Sequence, residues 1–356
     1  MPRTTVPPTP SDIDPAWLTS ALSARHPGVA VREVEILSVN EVTNTHLRVG
    51  VHYDRAAGAP ERMFAKMLPL DPARREAIAA SGMGPREARF YASLAPTLGL
   101  RVPETHVALF EDDGSFLVMM EDLTTTGCTV SDGTQGAPTD AAARALEELA
   151  ALHVRFEDPR ARQAEVPWVP VPATTSTYGS RLLRYGLDHH RDRLSDDFAA
   201  IAEIYIDRGD ALQAFWREGR TTVIHGDPHI GNLFLDGDRI GFLDWGIINV
   251  GVPMRDVSYF LTMALGIEDR RRHERDLIAH YLQARAASGG SPISPAEAWR
   301  AHRLHAAYTV PASCQVVSFP ADATPARRVF ADAFLARAEA ALADLGALDA
   351  LHQEGL

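Results

Sequence analysis

Alternating apolar and polar positions run through the first third of the chain. Val31 to Val39, Leu47 to Tyr53 and Met63 to Leu68 read as strands, because a period of two puts every other side chain on one face of a sheet. Val107 to Phe110 and Phe116 to Met120 repeat the pattern, with Glu111-Asp112-Asp113-Gly114 as a hairpin turn between them. Helical stretches interrupt the strands. Asp14 as N-cap and Pro15 at the first helical position open one that runs to about Arg25. A second begins at Asp71-Pro72, is broken at Gly82-Met83-Gly84-Pro85, and resumes from Arg86 to Leu98 with Ala88, Tyr91, Ala92, Leu94 and Ala95 on one side. The pattern predicts a β-rich lobe over residues 1–120 with a helix packed on it. Its first 12 residues, rich in Thr and Pro, read as a flexible leader. They lack the apolar run of a signal peptide.

The pattern changes after residue 120. Thr124 to Pro138 is rich in Thr, Gly and Ser and reads as a loop. From Thr139 the spacing of Leu146, Leu149, His153 and Phe156 is helical, and His153 reads as a packed helix residue. Asp196 to Arg208, Met254 to Leu265, Arg270 to Ala287 and Pro325 to Leu345 are further helices. Ser294-Pro295-Ala296-Glu297 is a capping box that opens another long one. The exception is Thr222 to Leu243, where short apolar runs separated by polar residues read as strand, loop, strand, turn, strand. The strict strand–helix alternation of a doubly wound sheet is absent. The expected class is α+β.

Composition narrows the function classes. A charged fraction of 23% and a hydrophobic fraction of 46% are ordinary for a globular chain of 356 residues. A net charge of -12 argues against nucleic-acid binding. No apolar run approaches the length of a membrane span. Two cysteines, Cys128 and Cys314, give no disulfide framework, so a cytoplasmic setting is expected. Monomer and homodimer are both open.

The chemistry concentrates in His225-Gly226-Asp227-Pro228-His229-Ile230-Gly231-Asn232 and, after two apolar runs, Asp244-Trp245-Gly246. Phosphoryl transfer needs a carboxylate at the acceptor hydroxyl, with an amide and a second carboxylate on magnesium. Asp227 and Asn232 have the five-residue step of the kinase catalytic loop, and Asp244-Trp245-Gly246 stands where Asp-Phe-Gly would. Pro228 and Gly231 rule out a helical two-histidine zinc site. Asp227-x-His229 also matches a metallophosphoesterase element, but the later Gly-Asp-x-x-Asp and Gly-Asn-His elements of that fold are missing.

His225-Gly226-Asp227-x-x-x-x-Asn232 resembles the motif of the aminoglycoside phosphotransferase and choline kinase superfamily. The block Gly251 to Leu261 is similar to its bacterial ecdysteroid-kinase-like members. The resemblance implies a bilobal protein-kinase-like fold, with a β-rich N-lobe, a hinge at 121–124 and a mainly helical C-lobe from 125 to 356. It implies transfer of the γ-phosphoryl group of ATP or GTP, with Mg²⁺, to a hydroxyl of a small molecule. Asp227 is then the base, His225 a loop-holding residue beside it, and Asn232 and Asp244 the metal ligands. Lys66 resembles the third-strand lysine that contacts the phosphates, and Glu87 the helix glutamate that pairs with it, in preference to Glu76. Backbone groups of Glu121 and Leu123 would meet the adenine. Asn40 and Thr43 would replace the glycine-rich loop, which this chain lacks.

An aminoglycoside or other antibiotic-resistance kinase shares this chemistry and differs only in acceptor. A pseudokinase would lack one of Lys66, Asp227, Asn232 or Asp244. A protein kinase would show an Ala-Pro-Glu element after Asp244, and none is present. His229 faces the acceptor side by position. Trp299, His302, His305, Tyr308 and Phe319 form an aromatic stretch whose one nearby carboxylate, Glu297, belongs to the capping box. That stretch predicts an acceptor that is neutral and partly apolar rather than a polycation.

Overall fold

The structure is a computed structural model that describes residues 4–172, 177–317 and 324–356. Phe319 lies outside the described residues. The chain divides into two compact units, Met1–Val130 with Gly241–Ile247, and Ser131–Ile240 with Ile248–Leu356. The short piece 241–247 thus packs with the first unit, where the sequence pattern had kept it in the helical lobe. The reason is local: the Trp245 ring is fully buried and stacks on Phe90 at 3.9 Å between centroids, 8° from parallel.

The first unit is built on one antiparallel sheet of β1 (Ala30–Glu41), β2 (Thr45–Arg55), β3 (Arg62–Met67), β4 (Thr105–Phe110) and β5 (Phe116–Glu121), in the order β1-β2-β3-β5-β4. All five strands were legible as alternation. Register fixes the faces: His46 pairs with Lys66 and Lys66 with Val118. Met63, Ala65 and Met67 point to one face and bury against Leu18 and Leu22 of helix Pro15–Leu22. Lys66 points to the other face, because neighbours along a strand alternate. Residues 4–12, expected as a flexible leader, are tied down. Trp17 Nε1 donates to Thr5 O at 2.9 Å, Pro7 is buried and Val6 packs on the sheet core.

On the Lys66 face lies helix Met83–Arg89. Gly82 adopts φ 66 and ends the preceding helix Pro72–Ser81, as a glycine does at a helix C-terminus. Gly84 is the close approach: a Cβ there would sit 2.0 Å from the Phe116 ring. The expected helix to Leu98 ends early. A π-turn covers Phe90–Leu94 and a 3-10 turn Ala95–Thr97, where Pro96 removes a backbone donor.

The second unit is mainly helical. Its helices include Thr139–Arg155, Asp196–Asp207, Pro253–Ala264, Ile267–Ala287, Pro295–His305 and Pro325–Leu345. The helix opened by the Ser294 capping box is shorter than expected. It gives way to a 3-10 turn at Ala306–Tyr308 and restarts as Thr309–Val317, because Pro311 cannot continue the earlier hydrogen-bond ladder. Helices Pro159–Glu165, Thr177–His190, Gly209–Phe215 and Ala347–Gln353 were not anticipated. Three of them are only seven residues long, too short to show a helical period. Strands Thr222–Ile224 and Asn249–Gly251 pair antiparallel within this unit. Among the described residues no helix is long and apolar enough to cross a membrane.

Candidate active site

Each unit carries one cluster of the residues singled out in the sequence. In the first unit the cluster is ionic. Lys66 Nζ lies 2.7 Å from Glu87 Oε2 and 3.0 Å from Asp244 Oδ1. The lysine comes from β3 and the glutamate from the helix that Gly84 lets approach. Glu76, on the helix Pro72–Ser81, does not take that place. Lys66 and Glu87 are buried, whereas the Asp244 side chain is 49% exposed. Burial works against the Lys66 ammonium, but the two carboxylates outweigh it and hold its pKa above the ordinary value. Burial pushes the Glu87 carboxyl up to about 7, with Lys66 opposing and the charge of Asp244 reinforcing the rise. A single buried ammonium shared by two carboxylates cannot neutralise both.

Asp244 has φ 55, the left-handed region that a non-glycine residue seldom occupies. Its neighbours hold it there. Trp245 stacks on Phe90, and Arg86 Nε donates to Gly246 O at 3.0 Å. Such strain concentrates at functional positions.

The other expected nucleotide residues are placed as follows. Asn40 and Thr43 are exposed at the β1–β2 turn. Glu121 has its carboxylate taken by Arg101, at 3.0 and 3.1 Å, and by Glu104 N. Only its backbone could serve a base. Leu123 is buried.

In the second unit the cluster is held by hydrogen bonds. The Thr222–Ile224 strand feeds loop 225–232, and its partner strand leads into helix Pro253–Ala264. Asp256 in the first turn of that helix accepts His225 N at 2.6 Å and Gly226 N at 2.9 Å. Gly226 has φ 90, which glycine alone adopts cheaply. His153 Nε2 lies 3.4 Å from Asp256, and its Nδ1 is 2.8 Å from the Tyr281 hydroxyl. Burial keeps the His153 ring's pKa below its ordinary value. Burial alone would raise the Asp256 carboxyl, but the hydrogen bond from His153 and the backbone donors outweigh it and hold it below the aspartate range.

His225 is fully buried, and its Nδ1 accepts Asp227 N at 3.2 Å. It braces the loop and offers no surface to a substrate, so it is a positioning residue rather than a catalytic one. Asp227 keeps 29% of its side chain exposed. Asn232 Nδ2 donates to Asp227 O at 3.0 Å and to Asp227 Oδ2 at 3.1 Å. With that nitrogen committed, the amide oxygen is the atom Asn232 can offer a cation. His229 Nδ1 accepts Gly231 N at 3.0 Å, its Nε2 is 3.5 Å from Asp227, and its ring lies edge-on to Phe334 and Tyr259.

Two of the expected acceptor residues come together with this loop and two do not. Tyr308 stands edge-on to Tyr259 at 5.5 Å, in an aromatic cluster with Met263, Phe334 and Phe330. His302 is fully buried, with ring nitrogens at Ser258 and Glu274. Trp299 packs under the Arg275 guanidinium at 3.6 Å. His302 and Trp299 are therefore packing residues, and the assignment of both to an acceptor pocket is withdrawn. Sequence reasoning missed Tyr259 and Arg255, and gave His153 no part beyond packing. The available signal was polarity on an apolar helix face, since buried polar groups must find partners.

A third-strand lysine paired to a helix glutamate, beside an Asp-x-Gly aspartate, is the phosphate-binding arrangement of kinase-like phosphotransferases. The sequence pattern of the phosphotransferase enzyme family (APH) matches residues 68–306, and the chain belongs to that family. The match takes in Glu87, Asp227, Asn232 and Asp244 and begins two residues after Lys66. No curated protein matches the chain in sequence. Among solved structures it is similar to choline kinase LicA from Streptococcus pneumoniae, at 14% identity and TM-score 0.49, covering 92% of this chain and 97% of that one. The macrolide 2'-phosphotransferase MphH from Brachybacterium faecium gives 19%, 0.46, 91% and 98%. The GDP complex of aminoglycoside 2'-phosphotransferase-IIIa gives 13%, 0.47, 91% and 98%. At that distance they say nothing of this chain's substrate.

Proposed function

We propose that the protein moves the γ-phosphoryl group of ATP to a hydroxyl of a small molecule, with Asp227 as base. The observation that carries the reading is the Asp227 carboxylate. It is partly exposed, fixed by Asn232 on a loop that Asp256 and His225 hold rigid, and set in the sequence spacing of a catalytic loop. The acceptor oxygen forms a bond to the γ-phosphorus, and the bond from that phosphorus to the β–γ bridging oxygen breaks. ADP leaves with the electron pair, and the hydroxyl proton passes to Asp227 Oδ. Lys66, aligned by Glu87, holds the phosphates.

Asn232 and Asp244 offer an amide oxygen and a carboxylate, hard oxygen donors that would hold Mg²⁺ together with the nucleotide. When bound, the ion would neutralise phosphate charge. No group of three or more His, Cys, Asp or Glu side chains forms a metal cage among the described residues, and a nucleotide-bound Mg²⁺ needs none. The test is ADP release and product mass with Mg·ATP or Mg·GTP against hydroxylated acceptors of each charge class. Acceptor-dependent, Mg²⁺-dependent ADP release supports the reading; ATP binding without transfer to any class would favour a pseudokinase.

A further inference from the structure

Behind Asp227 the second unit buries a cation with no anion beside it. Arg255 is 8% exposed. Its Nη2 donates to Asn249 Oδ1 at 3.1 Å, its guanidinium lies 4.7 Å from the Tyr308 ring centroid, and its Nε has no hydrogen-bond partner. No carboxylate among the described residues forms an ion pair with it. Buried guanidinium groups are ordinarily paired, because an uncompensated charge away from water is costly. Of the other arginines buried in this unit, Arg270 pairs with Glu274 and Asp344 and Arg285 with Glu157, while Arg337 spends its guanidinium on the carbonyls of Leu265, Gly133 and Thr134. Arg255 has neither a carboxylate nor such a set of carbonyls.

Further polar atoms surround it. The Tyr259 hydroxyl, on a residue 1% exposed, faces the Asp227 carboxylate. Burial and then the Asp227 charge push that phenol's pKa well up. Arg255 and Tyr259 are four residues apart on one helix and share a face, and both rest on Tyr308. His305 Nδ1 is unpartnered, and its ring lies 4.8 Å from that of Trp216. Burial and the Arg255 charge hold the His305 ring down at about 3. Of the donors among these groups, Tyr259 Oη faces the Asp227 carboxylate and Trp216 Nε1 the Tyr205 hydroxyl, which leaves Arg255 Nε without an acceptor. Unsatisfied groups of this kind mark places where a ligand, an ion or water completes the hydrogen bonding.

We propose that Arg255 binds the anionic end of the acceptor, so that the substrate is a hydroxy acid. Its carboxylate meets the guanidinium, which binds that group in a planar fork. Its hydroxyl, two aromatic contacts away along Tyr308 and Tyr259, meets Asp227. This rests on the phosphotransfer reading and replaces the neutral acceptor expected from the sequence. A polyamine would add cations to a buried one.

The experiment compares free hydroxy acids (quinate, 4-(hydroxymethyl)benzoate, 3-phenyllactate) with their methyl esters and with kanamycin. Wild type, Arg255→Gln and Arg255→Lys are assayed for phosphorylated product, and for the rise in melting temperature that each compound gives with Mg·ADP present. At least one acid is expected to exceed its ester tenfold in kcat/KM. That preference should be lost in Arg255→Gln, mainly through KM, and partly kept in Arg255→Lys. An acid that stabilises wild type but not Arg255→Gln supports the anion site even without turnover. The site is overturned if no acid outperforms its ester in either readout, or if the preference survives Arg255→Gln. Should Arg255→Gln not fold, the wild-type comparison and Arg255→Lys decide. Phosphorylation of esters or kanamycin in preference to the acids would refute the anion site while leaving phosphotransfer standing.

Discussion

Two buried carboxylates, one in each unit, are pushed in opposite directions. Glu87 faces one ammonium that it shares with Asp244, and its pKa rises to about 7. Asp256 faces two backbone N–H groups and a neutral histidine, and its pKa falls. Both are nearly solvent-free, so burial alone does not set the sign. What decides is whether dedicated donors complete the carboxylate's hydrogen bonds or a second carboxylate competes for them. In the proposed reaction the first cluster is poised, because phosphate and metal brought to it would change its charge balance. The second is closed, its hydrogen bonds fixing the loop that carries Asp227.

Breaking the closed cluster should have the larger effect on stability. Asp256→Ala leaves two buried N–H groups without an acceptor, at roughly 1–3 kcal/mol each. The variant should unfold at much lower denaturant concentration and lose activity, while Asp256→Asn, which keeps an oxygen, costs less. Urea unfolding checks both. An Asp256→Ala midpoint equal to wild type would remove Asp256 from its anchoring role.

In the poised cluster the loss should fall on ligand binding. Asp244→Ala is expected to weaken Mg·ATP binding by more than Lys66→Ala, because a divalent ion held there would neutralise more phosphate charge than the single point charge of lysine. Isothermal titration calorimetry reads the order, and unchanged affinity in Asp244→Ala would sink the metal assignment.

The two signs also separate by pH. A raised folded pKa makes the Glu87 contribution complete below its ordinary value of 4.5 and lost as pH climbs through about 7. Wild type without nucleotide should therefore lose stability from pH 5 to pH 8 relative to Glu87→Gln, by at most roughly 3 kcal/mol. For Asp256 the contribution is present above the ordinary aspartate range and lost on acidification. A wild-type-to-Gln difference that is the same at both pH values contradicts the Glu87 account.

The smallest effect tests how the poised cluster is assembled. Gly84→Ala puts a methyl group into the Phe116 ring and should cost about 1–3 kcal/mol by overpacking. It should also raise KM for ATP, by moving Glu87 away from Lys66. A stable variant with unaltered KM would show that the helix has room to shift.

The legible parts were those written in local pattern. Alternation placed the five strands, and the capping residues Asp14, Gly82 and Ser294 marked helix ends. The spacing of Asp227, Asn232 and Asp244 announced a site before any fold was known. The hidden parts depend on pairing across the chain. Nothing in the sequence ties His153 to Asp256, a hundred residues on, or shows that Arg255 is buried without a carboxylate. Trp299 and His302 misled because an aromatic stripe on a helix looks the same whether it lines a pocket or fills a core. The placement of 241–247 with the first unit comes from pairings distant in sequence, Trp245 on Phe90, Asp244 with Lys66 and Gly246 O with Arg86, which have no signature in local sequence.

The central claim is that Asp227 acts on the acceptor while the lysine, amide and second carboxylate hold the nucleotide. Turnover and Mg·ATP affinity measured on the same preparation of Asp227→Asn test it directly. Loss of a positioned base costs roughly 10²–10⁴ in rate. The account predicts that fall in kcat, with Mg·ATP affinity within a few-fold of wild type. Turnover within tenfold of wild type, or a collapse of nucleotide binding equal to the loss of rate, would contradict it.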